Sequence, residues 1–273
     1  DYQFIRAQLK ICRETHDQKC TQPTTGEQVL RVIDCKSHRL TTVKLCEPYI
    51  CLSYVWGSST TQDAREFGDE LPASIPRTVE DAMDVAISLG IPYLWVDRYC
   101  IDQSNHEEKH RLIKNMNKIY EQAEVTIIAA IGDDPHYGLP GVQDTLREEP
   151  ITIELGGKTF VTVADPLQET NKTKWSSRGW TFQEMLLSRR RLVFTKTQMY
   201  FQCRNVICME SLNPDYTYYR RERSSLISCF PLGGIGETVD DLLRRLEEYF
   251  RRELSFGIDS ILAFDGVVNA FDE

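Results

Sequence analysis

Between Tyr49 and Ala130 short apolar runs alternate with amphipathic segments, and that alternation admits few architectures. The run Tyr49-Ile50-Cys51-Leu52-Ser53-Tyr54-Val55 predicts a strand buried on both faces that ends at Trp56-Gly57. From Pro76 the apolar positions Val79, Ala82, Met83 and Ala86 repeat at helical spacing, with Pro76 near the first helical position and Gly90 as the stop. Tyr93 to Asp97 reads as a second short strand. Ser104-Asn105-His106-Glu107 reads as a capping box opening a helix with Leu112, Ile113, Met116, Ile119 and Tyr120 inward, and Val125 to Ala130 as a third strand. Parallel neighbours need crossover connections, so the β-α-β-α-β order implies a parallel sheet flanked by helices. Ligands of such sheets bind beyond the carboxyl ends of the strands, here Tyr54 to Gly57, Asp97 to Asp102 and the loop after Ile131.

The flanking segments are predicted more simply. Residues 1–22 carry a helical pattern with Phe4, Ile5, Leu9 and Cys12 on one side, and the runs 29–33 and 40–45 read as a hairpin. Residues 132–175 are turn-rich and interrupt the alternation as an insertion, with a hairpin around Gly156-Gly157. A helix over 176–188, capped by a serine, follows, then strands over 191–195 and 198–203 and a helix from Thr238 to Leu254. No internal repeat or low-complexity linker marks a boundary. We therefore expect one domain over 1–273, with a core at 49–205, an N-terminal helix and hairpin at 1–48 and a C-terminal helical extension at 237–273.

Composition narrows the function classes. Lys plus Arg number 32 against 41 Asp plus Glu, a net charge of −9 spread along the chain, which argues against duplex DNA as a partner. The local basic clusters Ser188-Arg189-Arg190-Arg191, Arg220 to Arg223 and Arg251-Arg252 read as solvated faces. The longest apolar run, Val125 to Ile131, falls far short of the ~18 residues of a membrane span, so no membrane partner is expected. Nine cysteines, an odd number at irregular spacing, suggest free thiols in a reducing compartment, hence a cytoplasmic protein. The first residue, Asp1, and the open ending at Glu273 suggest a piece of a longer protein.

Few motifs carry chemistry. Cys12, His16 and Cys20 are spaced for one helical face, and Cys35 or Cys46 is the candidate fourth ligand of a tetrahedral ion. The spacing matches no common finger and cysteine is often a small buried hydrophobe, so no metal site is assigned there, nor to Cys203 and Cys208. The chain has no Gly-x-Ser-x-Gly elbow, Walker loop or His-Glu-x-x-His, and Gly233-Gly234-Ile235-Gly236 follows no parallel strand. Cys100, with His106 and His110 nearby, reads as a packing residue rather than a nucleophile. Glu184 stands out. It lies four residues after Trp180 and three before Leu187, so one helical face presents a carboxylate between large apolar groups. Partial desolvation would raise its pKa and strengthen its field on a neighbouring cation; the alternative is a surface pair with Arg178 or Arg189.

Four blocks, Leu52 to Gly57, Leu94 to Gln103, Ile119 to Ala123 and Ser177 to Glu184 with Leu187 to Arg190, closely resemble the fungal heterokaryon-incompatibility (HET) domain. That family is distantly similar to Toll/interleukin-receptor (TIR) domains, and the resemblance implies a TIR-like, flavodoxin-like sheet with an inserted hairpin and extra terminal helices. It also implies a cell-death effector of fungal incompatibility or immunity, cleaving NAD+ at the nicotinamide–ribose bond on self-association. The alternative is a non-enzymatic adaptor that recruits like domains. Ser177, Trp180, Glu184 and Leu186 or Leu187 resemble the segment around the TIR catalytic glutamate, which assigns catalysis to Glu184. Trp56 or Trp180 would stack on nicotinamide or adenine, and Tyr54, Gly57 and Arg178 would meet phosphate or ribose. Asp97, Asp102 and Gln103 would bind ribose hydroxyls or fix the adjoining loop and helix. NAD+ is then a substrate and no cofactor is implied; the partners are a second copy of the domain and an upstream receptor or regulatory domain outside the chain. The leaving nicotinamide becomes neutral, so one carboxylate suffices, unlike the pair of most glycosidases. A carboxylate ~4 Å from the ribosyl cation at an effective dielectric of ~20 contributes about 4 kcal/mol, on the order of a thousandfold in rate.

Overall fold

The computed structural model describes residues 1–16, 18–21, 28–57, 69–211, 230–254 and 259–272; the Arg220 to Arg223 cluster lies outside them. Strands β1 (Val29–Asp34) and β2 (Arg39–Lys44) form the expected N-terminal hairpin. β3 (Ile50–Ser53), β4 (Tyr93–Trp95) and β5 (Val125–Ala129) follow in the alternating region, and β6 (Thr152–Leu155) with β7 (Lys158–Val161) makes a separate two-stranded sheet in the insertion. β8 (Arg190–Phe194), β9 (Met199–Cys203) and β10 (Ile207–Met209) complete an eight-stranded sheet in the order β10-β9-β8-β5-β3-β4-β1-β2. β4, β3, β5 and β8 are mutually parallel. The first parallel strand in sequence, β3, therefore sits between the second and third, the doubly wound order whose switch point lies between β3 and β5.

The sheet is not parallel throughout. β1 joins β4 antiparallel and brings the β1–β2 hairpin onto one edge, and β9 and β10 extend the other edge as an antiparallel meander whose tight turns need no crossover. Every residue of β3, β5, β8 and β9 is buried, which places these strands under helices on both faces.

The helices are α1 (Tyr2–Thr15), α2 (Arg77–Leu89), α3 (Asp97–Cys100), α4 (His106–Lys114), α5 (Met116–Gln122), α6 (Pro166–Asn171), α7 (Lys174–Ser177), α8 (Gly179–Leu187), α9 (Val239–Phe250) and α10 (Asp259–Asp272). α1 buries Ile5, Leu9 and Cys12, and α2 ends at Gly90 in the left-handed conformation with φ 77°, as their patterns predict. Two expected helices are broken. Asn105, not Ser104, caps α4, and the segment breaks at Asn115, whose side chain bonds the Arg111 carbonyl at 2.7 Å and competes with the helical ladder. The helix expected over 176–188 starts earlier, under a Thr173 cap instead of a serine, and breaks at Arg178. There the Gly179 N–H bonds the Glu253 carbonyl at 2.8 Å, and a Cβ on Gly179 would lie 2.3 Å from Leu254. The glycine thus lets the chain after α9 close over the start of α8.

The basic cluster at the start of β8 is the main correction to the sequence reading. Arg189, Arg190 and Arg191 are 1%, 3% and 0% exposed and form no solvated face. Arg189 donates to the Glu121 and Ala123 carbonyls at the end of α5 and to Cys20 O at 3.0 Å. Arg190 pairs with Glu124 at 3.1 Å and bonds Cys20 O at 2.8 Å. Arg191 donates to the Met185 and Leu186 carbonyls at the end of α8 and lies 5.4 Å from the Phe230 ring. Guanidinium forks satisfy carbonyls that helix ends leave unpaired, with a charge that suits the negative helix terminus. Of the C-terminal pair, Arg251 is solvated as expected, whereas Arg252 packs 4.8 Å from the Phe182 ring and bonds Arg178 O at 3.2 Å. Replacing Arg189 by Ala should destabilise the fold by about 3 kcal/mol, since several buried carbonyls lose partners. Urea unfolding checks this, and Arg189→Lys should recover only part, because one ammonium cannot fork.

Candidate functional site: a buried carboxylate pair

The site is built at the carboxyl end of β3, beside the switch point. Ser53, the last residue of β3, is fully buried and accepts the Trp175 indole N–H at 2.8 Å. Its own hydroxyl donates to Glu184 Oε2, so strand β3 is bonded directly to α8. Glu184 is 5% exposed. The Tyr120 hydroxyl faces it from α5, and Trp95 packs edge-on against the Tyr120 ring at 5.5 Å. α8 can carry a carboxylate here because its whole length from Thr181 to Leu187 is buried, held between the sheet and α10.

Asp97, two residues past β4 and the first of α3, is the second carboxylate. It accepts from the Trp56 indole at 3.1 Å and from the Arg98 N–H at 2.7 Å. Burial pushes Glu184 up to about 7; the neighbouring Asp97 charge adds to the rise, and the Ser53 and Tyr120 hydroxyls and Arg178 oppose it. Burial likewise pushes Asp97 up to about 6, against the Arg98 amide, Arg178 and the Trp56 N–H. Two carboxyls near each other, one cation and a set of aromatic walls make a centre suited to holding positive charge at neutral pH.

The structure brings together Tyr54, Trp56, Asp97, Arg178 and Glu184. Tyr54 is 4% exposed, and Asp97 and Arg98 flank its hydroxyl. Trp56 is half-buried with Arg98 5.9 Å from its ring. Gly57 has φ 77°, and a Cβ there would lie 2.8 Å from Pro135, so a glycine lets the chain turn against the insertion. Asp102 accepts from the Ser104 N–H at 2.9 Å and hydroxyl at 2.6 Å, and Gln103 donates to the Asp97 and Ile101 carbonyls at 3.4 Å. Both therefore fix the loop between α3 and α4, one of the two roles left open by sequence. Trp180 is half-buried against the core. Glu184 makes no surface pair with Arg178 or Arg189. Cys100 is buried, its thiol pushed up to about 12 by desolvation, and acts as packing.

Sequence reasoning missed Ser53 and Tyr120 beside Glu184, and Trp175 as the donor to Ser53. The signal for Ser53 was available: a lone hydroxyl inside a strand buried on both faces needs a partner. Two clefts flank the region. One of about 590 Å³ lies beyond the end of β5, between Ile131 to Asp134 and Lys172, Lys174 and Lys196. One of about 820 Å³ lies against Trp175 and Phe182, with Arg244, Arg251 and Arg252 on its rim.

The family model described as heterokaryon incompatibility protein (HET) matches residues 49–184. The chain carries a HET domain. Over 134 residues it is 28% identical to "Heterokaryon incompatibility protein 6, OR allele" of Neurospora crassa, covering 44% of this chain and 18% of that protein. The chain thus spans less than a fifth of that relative's length. No solved structure matches the chain. The HET match runs from Tyr49, at the entry to β3, to Glu184 itself, so it contains both ends of the Ser53 to Glu184 bond. None of the described helices is long and apolar enough to cross a membrane.

The raised carboxyl has a stability signature. The folded HET domain holds a proton on Glu184 that the unfolded chain loses near pH 4.5, so stability falls as pH rises from there through about 7, and Asp97 adds in the same direction. Thermal unfolding temperature should therefore decline between pH 5 and 8. Glu184→Gln should flatten most of that decline and be the more stable protein at pH 8, as followed by scanning calorimetry.

Proposed function

We propose that this HET domain is a cell-death effector of fungal heterokaryon incompatibility that cleaves NAD+ at the nicotinamide–ribose bond, with Glu184 as the catalytic carboxylate. The observation that carries the reading is the buried Glu184 and Asp97 pair at the carboxyl end of β3, beside the switch point of a doubly wound sheet. The name of the Neurospora relative supports the biological setting. The TIR-like relationship and activation by self-association belong to the same proposal.

In this reaction the bond between ribose C1′ and the pyridinium nitrogen breaks, and its electron pair returns to nitrogen, leaving neutral nicotinamide. Water adds to C1′ of the ribosyl cation and its proton goes to solvent. Glu184 supplies the negative charge that stabilises the cation. Its burial strengthens that field, and the positive charge of the incoming pyridinium favours the ionised form. Asp97 holds Trp56 by its indole N–H, keeping that half-buried ring beside the carboxylate. Lys172, Lys174 and Lys196 around the cleft beyond β5 suit the diphosphate of the nucleotide.

Concentrated protein incubated with NAD+ should release nicotinamide. Glu184→Gln, with an unchanged fold, should lower that rate on the order of a thousandfold. The wild-type rate should rise with pH through about 7, as Glu184 ionises. Specific activity should fall on dilution if assembly completes the pocket. No release at any concentration, with killing intact in Glu184→Gln, identifies the domain as a non-enzymatic adaptor. The full burial of Glu184 against Ser53 favours that second reading, since such a bond would also serve only to lock α8 to the sheet.

A further inference from the structure

The four sulfur and nitrogen atoms that the fold gathers at the end of α1 have no part in the chemistry above. Cys12 lies in the last turns of α1, His16 caps its C-terminus, and Cys20 ends the short 3-10 helix Gln18–Cys20. The fourth member comes from neither Cys35 nor Cys46, the candidates by sequence, but from Cys203 at the end of β9. The ligand atoms of all four lie within 4.8 Å of one another, and His16 Nδ1 is 3.3 Å from Cys203 Sγ. A tetrahedral ion with bonds of ~2.3 Å to sulfur and ~2.0 Å to nitrogen needs ligand atoms separated by about 3.5–3.8 Å, so the cluster is already near the required size. Cys208 stays outside it: β9 and β10 pair Cys208 with Phe201 and leave Cys203 opposite Arg190.

We propose that Cys12, His16, Cys20 and Cys203 bind one zinc ion as a closed structural site. The bonding around the sulfurs is consistent with this assignment. Cys35 and Cys51 each donate S–H to a backbone carbonyl, as neutral thiols do, and Cys100 both donates to the Leu94 carbonyl and accepts the Val96 N–H at 3.3 Å. Two of the clustered sulfurs receive N–H donors, and one of these is a cation: Arg190 Nε reaches Cys12 Sγ at 3.1 Å and the Asn205 N–H reaches Cys203 Sγ at 3.4 Å. N–H donors to sulfur are the outer partners that metal-bound thiolates use.

Charge is consistent with the same assignment. Three thiolates and a neutral imidazole around Zn2+ carry a net charge of −1, and the surroundings are basic. Buried Arg189 and Arg190 both donate to the Cys20 carbonyl, and Arg204 reaches the carbonyls of Lys19 and Leu187. Binding displaces three thiol protons to solvent. Protein atoms fill all four positions, so the ion has no open site for substrate and serves to fasten the N-terminal segment to the sheet edge. His16, the most exposed of the four, marks the side from which the ion enters.

The whole chain, expressed with zinc and purified without a metal-affinity tag, should contain one zinc per molecule by plasma mass spectrometry. Cobalt(II) exchanged into the wild type should show the ligand-field and thiolate charge-transfer bands of a tetrahedral sulfur-rich site. Cys203→Ser should lose the metal, whereas Cys46→Ser should retain it. The cobalt spectrum needs no variant, so the proposal stays testable even if Cys203→Ser fails to fold. Folded wild-type protein without stoichiometric zinc, an octahedral cobalt spectrum, or a disulfide among Cys12, Cys20 and Cys203 by mass spectrometry would each overturn the site.

Discussion

Three consecutive buried guanidiniums hold the frame on which everything else sits. Arg189, just before β8, and Arg190 and Arg191 at its start reach in different directions, to the end of α5, to the N-terminal segment at Cys20, and to the end of α8. Removing three cations from water is costly unless hydrogen bonds replace the lost hydration. The fold supplies them as helix-terminal carbonyls, which themselves lack partners. The same contacts therefore satisfy two classes of buried polar group. They also set the position of α8, and with it Glu184.

Glu184 illustrates how such a frame stores a functional cost. A carboxyl held at 5% exposure with a pKa near 7 weakens the folded state at neutral pH, and the domain keeps it through the Ser53 bond from β3 and the Tyr120 hydroxyl from α5. Sites that trade stability for a perturbed group are the expected place for chemistry. The parallel order β4-β3-β5-β8 explains the location, since Ser53 ends β3 where the crossovers diverge to opposite sides. The chain after α9 closes over the N-terminus of α8 through Gly179 and Arg252, so residues beyond the HET match help to hold the helix that carries Glu184.

Much of this was legible in the chain. Apolar runs separated by amphipathic segments specified β3, α2, β4 and β5, because burial on both faces leaves no alternation in a central strand and a 3.6-residue period in its crossovers. The glycine pair at 156 and 157 marked the β6 to β7 hairpin, and the apolar neighbours of Glu184 marked it as desolvated. Other features were hidden. A run of arginines reads as solvated unless one knows that helix ends converge on it. The break at Arg178 depends on a backbone bond to Glu253, far away in sequence. Asp97 as an electrostatic partner of Glu184, rather than only a loop residue, depends on β3 and β4 being neighbours.

By itself the sequence determined the local periods, the turns and the one carboxylate in an apolar setting, since these depend on residues within a helical turn or a strand of each other. Only the tertiary structure decided what lies across from what: Ser53 against Glu184, Arg189 against the end of α5, Cys203 against Cys12, His16 and Cys20. Contacts of that kind are set by strand order and by which crossover covers which face. No local pattern encodes them, because hydrogen bonds and charges act over a few ångströms of space whatever the length of chain between the groups.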